Sequence, residues 1–518
     1  MPRGTTGTRA SATSPRSRTS PAWRGGKARR CLGLSPPHAL FPADRGRASP
    51  YHPSDRRFLD PVFLDVAALP LVADLPAVRA ALAAQEGAFA ALRALPAVDH
   101  AGAWAAKRAV LEAAWAALPA VHPARDALAA FRDAGGVALD RFCIHTVLAA
   151  QQGTPDSRIR PEELRHGDAP GIPAFAARHA DAVAFVAFQQ MLADRQLAEA
   201  GQAGAGLYRD LAVGAAADGA EIWSGDARFL PGFSVGAPPD PFAADGQVWG
   251  LPPPDPLAWR ASGFAAFAGL VRANMRHAAA LRIDHVLGLR RLFVVPDGAK
   301  GAEGAYLACP FADLLGQVAL ESQRARCLVV GEDLGTVPEG TGEALQAAGI
   351  LSYRVLWFER QGPAFTPPAA WPALAAACVS THDLPTLAGF WTGADIAERA
   401  ALGLLADAGA AMAERAADRA ALLGLLEAEG LLPEGAAPDA PLDDALAAAV
   451  HALVARTPSA LVLVQAEDLA GEEVAVNLPG TDRERPNWRR RLPLPAAGLG
   501  ALPRAAAVLA ALRRLRPG

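Results

Sequence analysis

Three acidic residues, each closing a short apolar run, are the groups in this chain best suited to chemistry. Asp284 ends Leu281-Arg282-Ile283-Asp284. Glu332 follows Cys327-Leu328-Val329-Val330-Gly331, and Asp383 follows Ala377-Cys378-Val379-Ser380-Thr381-His382. Runs so short and apolar read as buried parallel strands. A carboxylate just past the C-terminal end of such a strand is where barrel enzymes hold catalytic groups. Taken singly, each acid could equally be a turn residue or a helix N-cap. Together, each beside a His, an Arg or a second acid, they suggest a carboxylate site.

The chemistry that uses such a set is glycosidic bond exchange with retention. It needs two carboxyl groups about 5–5.5 Å apart, one an ionised nucleophile and the other a protonated acid that later acts as base. Arg282 lies two residues before Asp284 and so on the same strand face, a cation that would keep that carboxylate ionised. Glu332 follows a Val-Val run and adjoins Asp333; burial and a like charge would raise its pKa, as an acid catalyst requires. His382 and Asp383 could hold the hydroxyls of a distorted sugar ring. The bland alternatives are a cap at Glu332-Asp333 and an Asx turn at His382-Asp383 ahead of Pro385.

The elements that must position these groups follow from the pattern along the chain. Strand signals occur at Leu32–Leu34, 207–213, 281–284, 327–331, 351–358, 377–382 and 460–465, with Ala- and Leu-rich helical stretches between them. Such alternation predicts a parallel α/β architecture. A closed (β/α)8 barrel needs eight strands, and residues 1–30 supply no eighth signal. That tract carries eight Arg/Lys and no acid, and reads as disordered. Residues 31–518 read as the catalytic barrel, with a helical insertion at about 76–200 and a helical block at about 396–455 broken at Gly430–Pro441. The stretch 229–256 is rich in Pro and Gly and reads as a long irregular loop over a pocket. In it, Asp240 and Trp249 are candidates to bond and stack on sugar, as is Tyr51 in its own turn. The alternative for both is a stiffened surface loop with an aromatic anchor.

Composition excludes several classes. Beyond residue 30 there are 42 basic against 53 acidic residues, which gives nucleic-acid binding no support. No apolar stretch reaches the roughly 18 residues of a membrane span without a charge. The five Cys stand at 31, 143, 309, 327 and 378, in no metal-binding spacing. They suit a reducing compartment and argue against a disulfide framework or a zinc site.

Read together, the segments HALFPADRGRASPYHPSDRRFLDP (38–61), LYRDLAVG (207–214), VGAPPDPFAADGQVWG (235–250), LRIDHVLGLRRLFVVP (281–296), LVVGEDLGTVPEG (328–340), VSTHDLPTLAGFW (379–391) and NLPGTDRERPNWRRRL (477–492) resemble the amylomaltase family, bacterial 4-α-glucanotransferases of the α-amylase clan. The resemblance implies a TIM-type (β/α)8 barrel with helical insertions. It makes Asp284 the nucleophile, Glu332 the general acid/base and Asp383 the transition-state stabiliser. It gives Arg282, His285 and His382 to the sugar at the cleavage point, with Tyr51, Asp218, Asp240, Trp249 and Asn477 further out. It implies maltooligosaccharides and other α-1,4-glucans as substrates, no metal or organic cofactor, no nucleic-acid or membrane partner, and a cytoplasmic location, and leaves the oligomeric state open. Family members carry a first barrel strand and helix where this chain has its basic tract, so the first strand is expected to be missing here. Two other readings share these residues: a hydrolase with water as acceptor, and a truncated, inactive glucan-binding remnant.

Overall fold

The computed structural model describes residues 8–13, 31–225, 228–239, 245–482 and 484–517. Its central sheet contains eight strands in chain order: β1 (Thr8–Thr13), β2 (Cys31–Leu34), β3 (Gly206–Leu211), β4 (Ala280–Ile283), β5 (Leu328–Gly331), β6 (Ser352–Val355), β7 (Ala375–Cys378) and β8 (Leu461–Gln465). Each pairs with its neighbour in sequence, and β1 also pairs with β8. The ring closes between β5 and β6, where Gly331 N donates to Leu351 O (2.8 Å) and Leu351 N to Val329 O (3.0 Å). Pairs β2–β3, β3–β4, β4–β5, β6–β7 and β7–β8 are parallel; β1 runs antiparallel to both its partners.

The expected gap is therefore filled. Residues 8–13 lie in the sheet as an antiparallel strand, where the sequence reading found no eighth strand signal; the rest of 1–30 lies outside the described residues. The physical reason is that β2 and β8 each present a row of unpaired N–H and C=O groups. Any extended segment free of proline can satisfy them, and Thr-Arg-Ala-Ser-Ala-Thr is one. Its lack of apolar alternation hid it from a reading based on hydrophobic pattern.

The strands are short, and several are buried on both faces. β4, β7 and β8 are buried at every position, and β7 is three alanines and a cysteine. Around β6–β8 the largest core is covered by helices Ala408–Ala428, Asp444–Ala455 and Pro503–Leu515. A second core lies under β4 and β5 against helices Ala265–Met275 and Phe311–Ala325. Each fully buried Leu or Val in them contributes about 1.5–3 kcal/mol. No helix among the described residues is long and apolar enough to cross a membrane.

Between β2 and β3 the chain builds helices α1 (Pro76–Ala94), α2 (His100–Ala116), α3 (Pro123–Gln152), α4 (Ile172–Arg178) and α5 (Ala180–Gln202), which share their own apolar core. Their ends follow local chemistry: proline opens α1 and α3, the Asp99 carboxylate caps Gly102 N, and Gly153 stops α3 at φ 68°. The loop that carries Tyr51 is closed at its base by Asp60. This buried carboxylate accepts from Leu40 N and Val62 N and pairs with Arg45 at 2.7 Å.

The stretch 229–256 is more regular than expected. Phe233–Ala237 and Gln247–Leu251 are strands, joined with Arg291–Pro296 and Ala305–Ala308 in a four-stranded antiparallel sheet. Phe233–Ala237 pairs with Arg291–Pro296 from further along the chain, and Gln247–Leu251 pairs with Phe233–Ala237 at the edge of the sheet. Asp240 lies outside the described residues.

Candidate active site

Two of the acids leave their strands at the ends expected. Asp284 directly follows β4 and its N–H donates to Leu211 O (3.0 Å); Glu332 directly follows β5 and donates to Ile283 O (3.0 Å). Both therefore stand at the C-terminal rim of the barrel. Asp383 differs from the sequence reading. β7 ends at Cys378, and Asp383 lies five residues on, in a turn held by Ser380 Oγ to Pro385 O (2.6 Å) and Asp383 N to Thr381 Oγ1 (3.2 Å).

Glu332 is 9% exposed, and both its oxygens are fixed by main chain: His285 N donates to Oε2 (2.8 Å) and Leu334 N to Oε1 (2.9 Å). Burial pushes its pKa up to about 7, with the Asp284 charge adding to the rise against Arg282 and the two N–H bonds. The like charge is Asp284 and not Asp333, as the sequence reading had it. Asp333 turns away, accepting from Tyr353 N (2.9 Å) and pairing with Arg354, because successive side chains leave a strand on opposite sides.

Asp284 is bound by Arg282 at 2.8 Å, as expected from their spacing. Burial nevertheless moves its pKa up from the ordinary value; Arg282 and His382 oppose that, while Asp210 and Asp383 add to it. The guanidinium is therefore the principal group that keeps the carboxylate available as an anion. Asp383 goes the other way. Burial would raise it, but the charge and hydrogen bond of His382 (3.1 Å), the amide of Asn477 (2.7 Å) and Arg282 hold it at about 2. Its side chain is 43% exposed, open to the cleft. One acid is thus protonated near neutrality and another always charged, the split that acid–base work on a sugar demands.

Of the other expected residues, Arg282, His285, His382, Tyr51 and Asn477 join this constellation. His285 follows Asp284 with φ 47°, and burial lowers its pKa to about 4, so the ring is neutral. Tyr51 stacks on His382 with centroids 4.6 Å apart and planes at 16°. Trp249 reaches the edge of His285, 5.6 Å between centroids, carried there by the four-stranded sheet. Asp218 does not meet the carboxylates in the contacts seen. It is tied to Arg47 by two bonds of 2.7 and 2.9 Å, beside His52.

Asp210 was not singled out from sequence. It lies inside β3, 5% exposed, accepts both Nη1 bonds of Arg282 (2.8 and 3.0 Å) and receives the Tyr51 hydroxyl at 2.6 Å. Arg282 thereby forks between Asp210 and Asp284. Its replacement by methionine leaves two buried carboxylates facing each other, and the expected cost is about 3–5 kcal/mol of stability. A urea midpoint unchanged in Arg282→Met would contradict this. Lysine offers charge without the fork and should recover only part of it.

The loop bearing Asn477 docks through a contact that only glycine allows. A Cβ on Gly389 would sit 2.1 Å from Glu473 O, beside the Thr386 hydroxyl that donates to Glu472 O (2.6 Å). Gly389→Ala is expected to push segment 472–477 outward and loosen Asn477 from Asp383. The check is a lowered melting temperature together with a lowered turnover; an alanine variant matching the parent in both would refute it.

No group of three or more His, Cys, Asp or Glu able to hold a metal ion occurs among the described residues. Residues 22–495 match the glycoside hydrolase 77 family, described as 4-alpha-glucanotransferase. A 4-alpha-glucanotransferase of Mycobacterium tuberculosis is 40% identical over 484 residues, covering 88% of this chain and 65% of that protein. One from Haemophilus influenzae is 34% identical over 494 residues, covering 90% and 70%. Amylomaltase from Corynebacterium glutamicum superposes with a TM-score of 0.83 at 31% identity, covering 93% of this chain and 70% of that one. The fold is also that of amylomaltase from Streptococcus agalactiae in complex with acarbose, with a TM-score of 0.73 at 17% identity, covering 94% of this chain and 92% of that one. The chain thus spans just under two thirds of the length of the mycobacterial relative it matches.

Proposed function

Since the chain belongs to the glycoside hydrolase 77 family of 4-alpha-glucanotransferases, we propose that it transfers α-1,4-glucan segments between maltooligosaccharides by double displacement. Asp284 attacks the anomeric carbon while Glu332 gives its proton to the departing glycosidic oxygen. The C–O bond breaks, the shortened glucan leaves with a free 4-hydroxyl, and the donor glucosyl unit stays bonded to Asp284. Glu332, now ionised, takes the proton from the 4-hydroxyl of an incoming glucan, whose oxygen displaces Asp284 and closes a new glycosidic bond.

In this mechanism Arg282 keeps Asp284 anionic. Asp383, always charged, accompanies the positive charge that develops on the ring, and His382 and Tyr51 form one wall of the donor sugar's site. Asn477 orients Asp383, while Trp249 and, further out, Asp218 and Asp240 receive the rest of the glucan. The barrel and its helical insertions act as one catalytic unit of a cytoplasmic enzyme.

The observation that carries the proposal is one rim on which Glu332 is buried and held by two main-chain N–H groups, Asp284 is paired with Arg282, and Asp383 is held by His382 and Asn477. The test is product analysis with maltotriose. Longer maltooligosaccharides together with glucose mean transfer. Glucose and maltose alone mean water is the acceptor, and a folded protein without turnover sinks both readings in favour of the inactive remnant.

A further inference from the structure

Trp488 belongs to no strand or helix, yet its backbone is held on both sides. Its φ is 62°, a left-handed conformation that costs a bulky residue about 1–3 kcal/mol. Such a conformation persists only where the surroundings over-determine it, and here they do. Trp488 N donates to Val476 O (2.9 Å), and Trp488 O is met by His100 Nε2 at 3.0 Å. The next residue is gripped as well, Arg489 O accepting from Val98 N (2.7 Å), beside a bridge between Ala97 and Arg490. A carbonyl can only accept, so His100 presents Nε2–H, and burial lowers the pKa of that ring.

The clamp therefore comes from the start of α2, in the helical insertion, and the indole it holds faces the site. Trp488 lies 5.6 Å from the Tyr51 ring and 5.5 Å from the His382 ring, tilted 41° and 46°, and is 8% exposed. It is the third member of the aromatic group whose other two form the wall beside Asp383.

We infer that Trp488 is a positioning residue: held in its left-handed backbone by His100 and Val476, with Val98 gripping the next residue, its indole sets the Tyr51–His382 stack. The helical insertion thereby shapes the donor-sugar end of the site without touching the sugar. The inference deepens the functional reading above and rests on it.

The experiment uses the full chain with carbon-labelled histidine and two substitutions, Trp488→Ala and His100→Ala, each beside its conservative form, Trp488→Phe and His100→Gln. Two signals are read: the His382 ring resonance, and kcat and KM with maltotriose. Trp488→Ala is expected to lower kcat on the order of 10²-fold, with KM rising far less, and Trp488→Phe to recover most of it. His100→Ala should shift the His382 resonance and lower kcat several-fold, while His100→Gln, which keeps a donor for Trp488 O, restores both. An unmoved His382 resonance in a folded His100→Ala overturns the inference, as does wild-type kcat in that variant or in Trp488→Ala. If Trp488→Ala does not fold, the His100 pair decides alone. A parent without turnover refutes the transfer reading instead, and the His382 resonance still judges the positioning.

Discussion

Asp284→Ala is expected to cut maltotriose turnover by about 10⁴-fold or more while the protein stays folded. The loss is large because the covalent step has no other group to perform it, and water would have to attack unaided. The fold should hold because Arg282 keeps its two bonds to Asp210 when Asp284 is gone. A second signature follows from the electrostatics. Asp284 is one of the groups that raise Glu332, so in the alanine variant Glu332 should titrate lower than in the parent. Retention of more than about a hundredth of the parent's turnover would remove Asp284 from its role as nucleophile.

Glu332→Gln should cost on the order of 10³-fold and change the shape of the pH profile. The acid must carry its proton to work. Glu332 titrates at about 7 in the folded chain, so the parent's rate should be full below that value and fall as pH rises through it. Glutamine does not titrate, so the alkaline limb should vanish. On the acid side the rate should rise as Asp284 ionises, at a pH above that of an ordinary aspartate because burial raises it. Asp383, held at about 2, contributes no limb in the working range. A donor with a good leaving group, such as a maltosyl fluoride, needs no proton at departure and should restore formation of the maltosyl–enzyme in the glutamine variant. An alkaline limb that persists in Glu332→Gln would assign it to another group.

Much of this site could be read from residue order because the two carboxylates proposed to react, Asp284 and Glu332, sit one residue past short apolar strands. A strand of that kind is visible as a run, and its end is visible as the first acid. That rule does not reach Asp210, which lies inside β3 and in register with Arg282, where an acid looks incidental. Asp333 shows the converse error, since adjacency along the chain was taken for adjacency in space. Trp488 was beyond reach. Nothing in Asn477-Leu478-Pro479-Gly480 or Pro486-Asn487-Trp488 is periodic, and the loop is folded by bonds to residues hundreds of positions away. The strand Thr8–Thr13 was hidden for a related reason, because its place is set by the backbones of β2 and β8.

The main-chain grip on Glu332 has a further consequence. The N–H that holds its Oε2 belongs to His285, one peptide bond from Asp284, and Glu332 O in turn accepts from Val286 N (2.9 Å). The separation of the two carboxylates is thus gauged by covalent backbone, like two tools bolted to one jig. Side-chain rotation elsewhere cannot bring it gradually out of true. Heat should leave catalysis in step until the rim of β4 and β5 comes apart, and then take it away all at once.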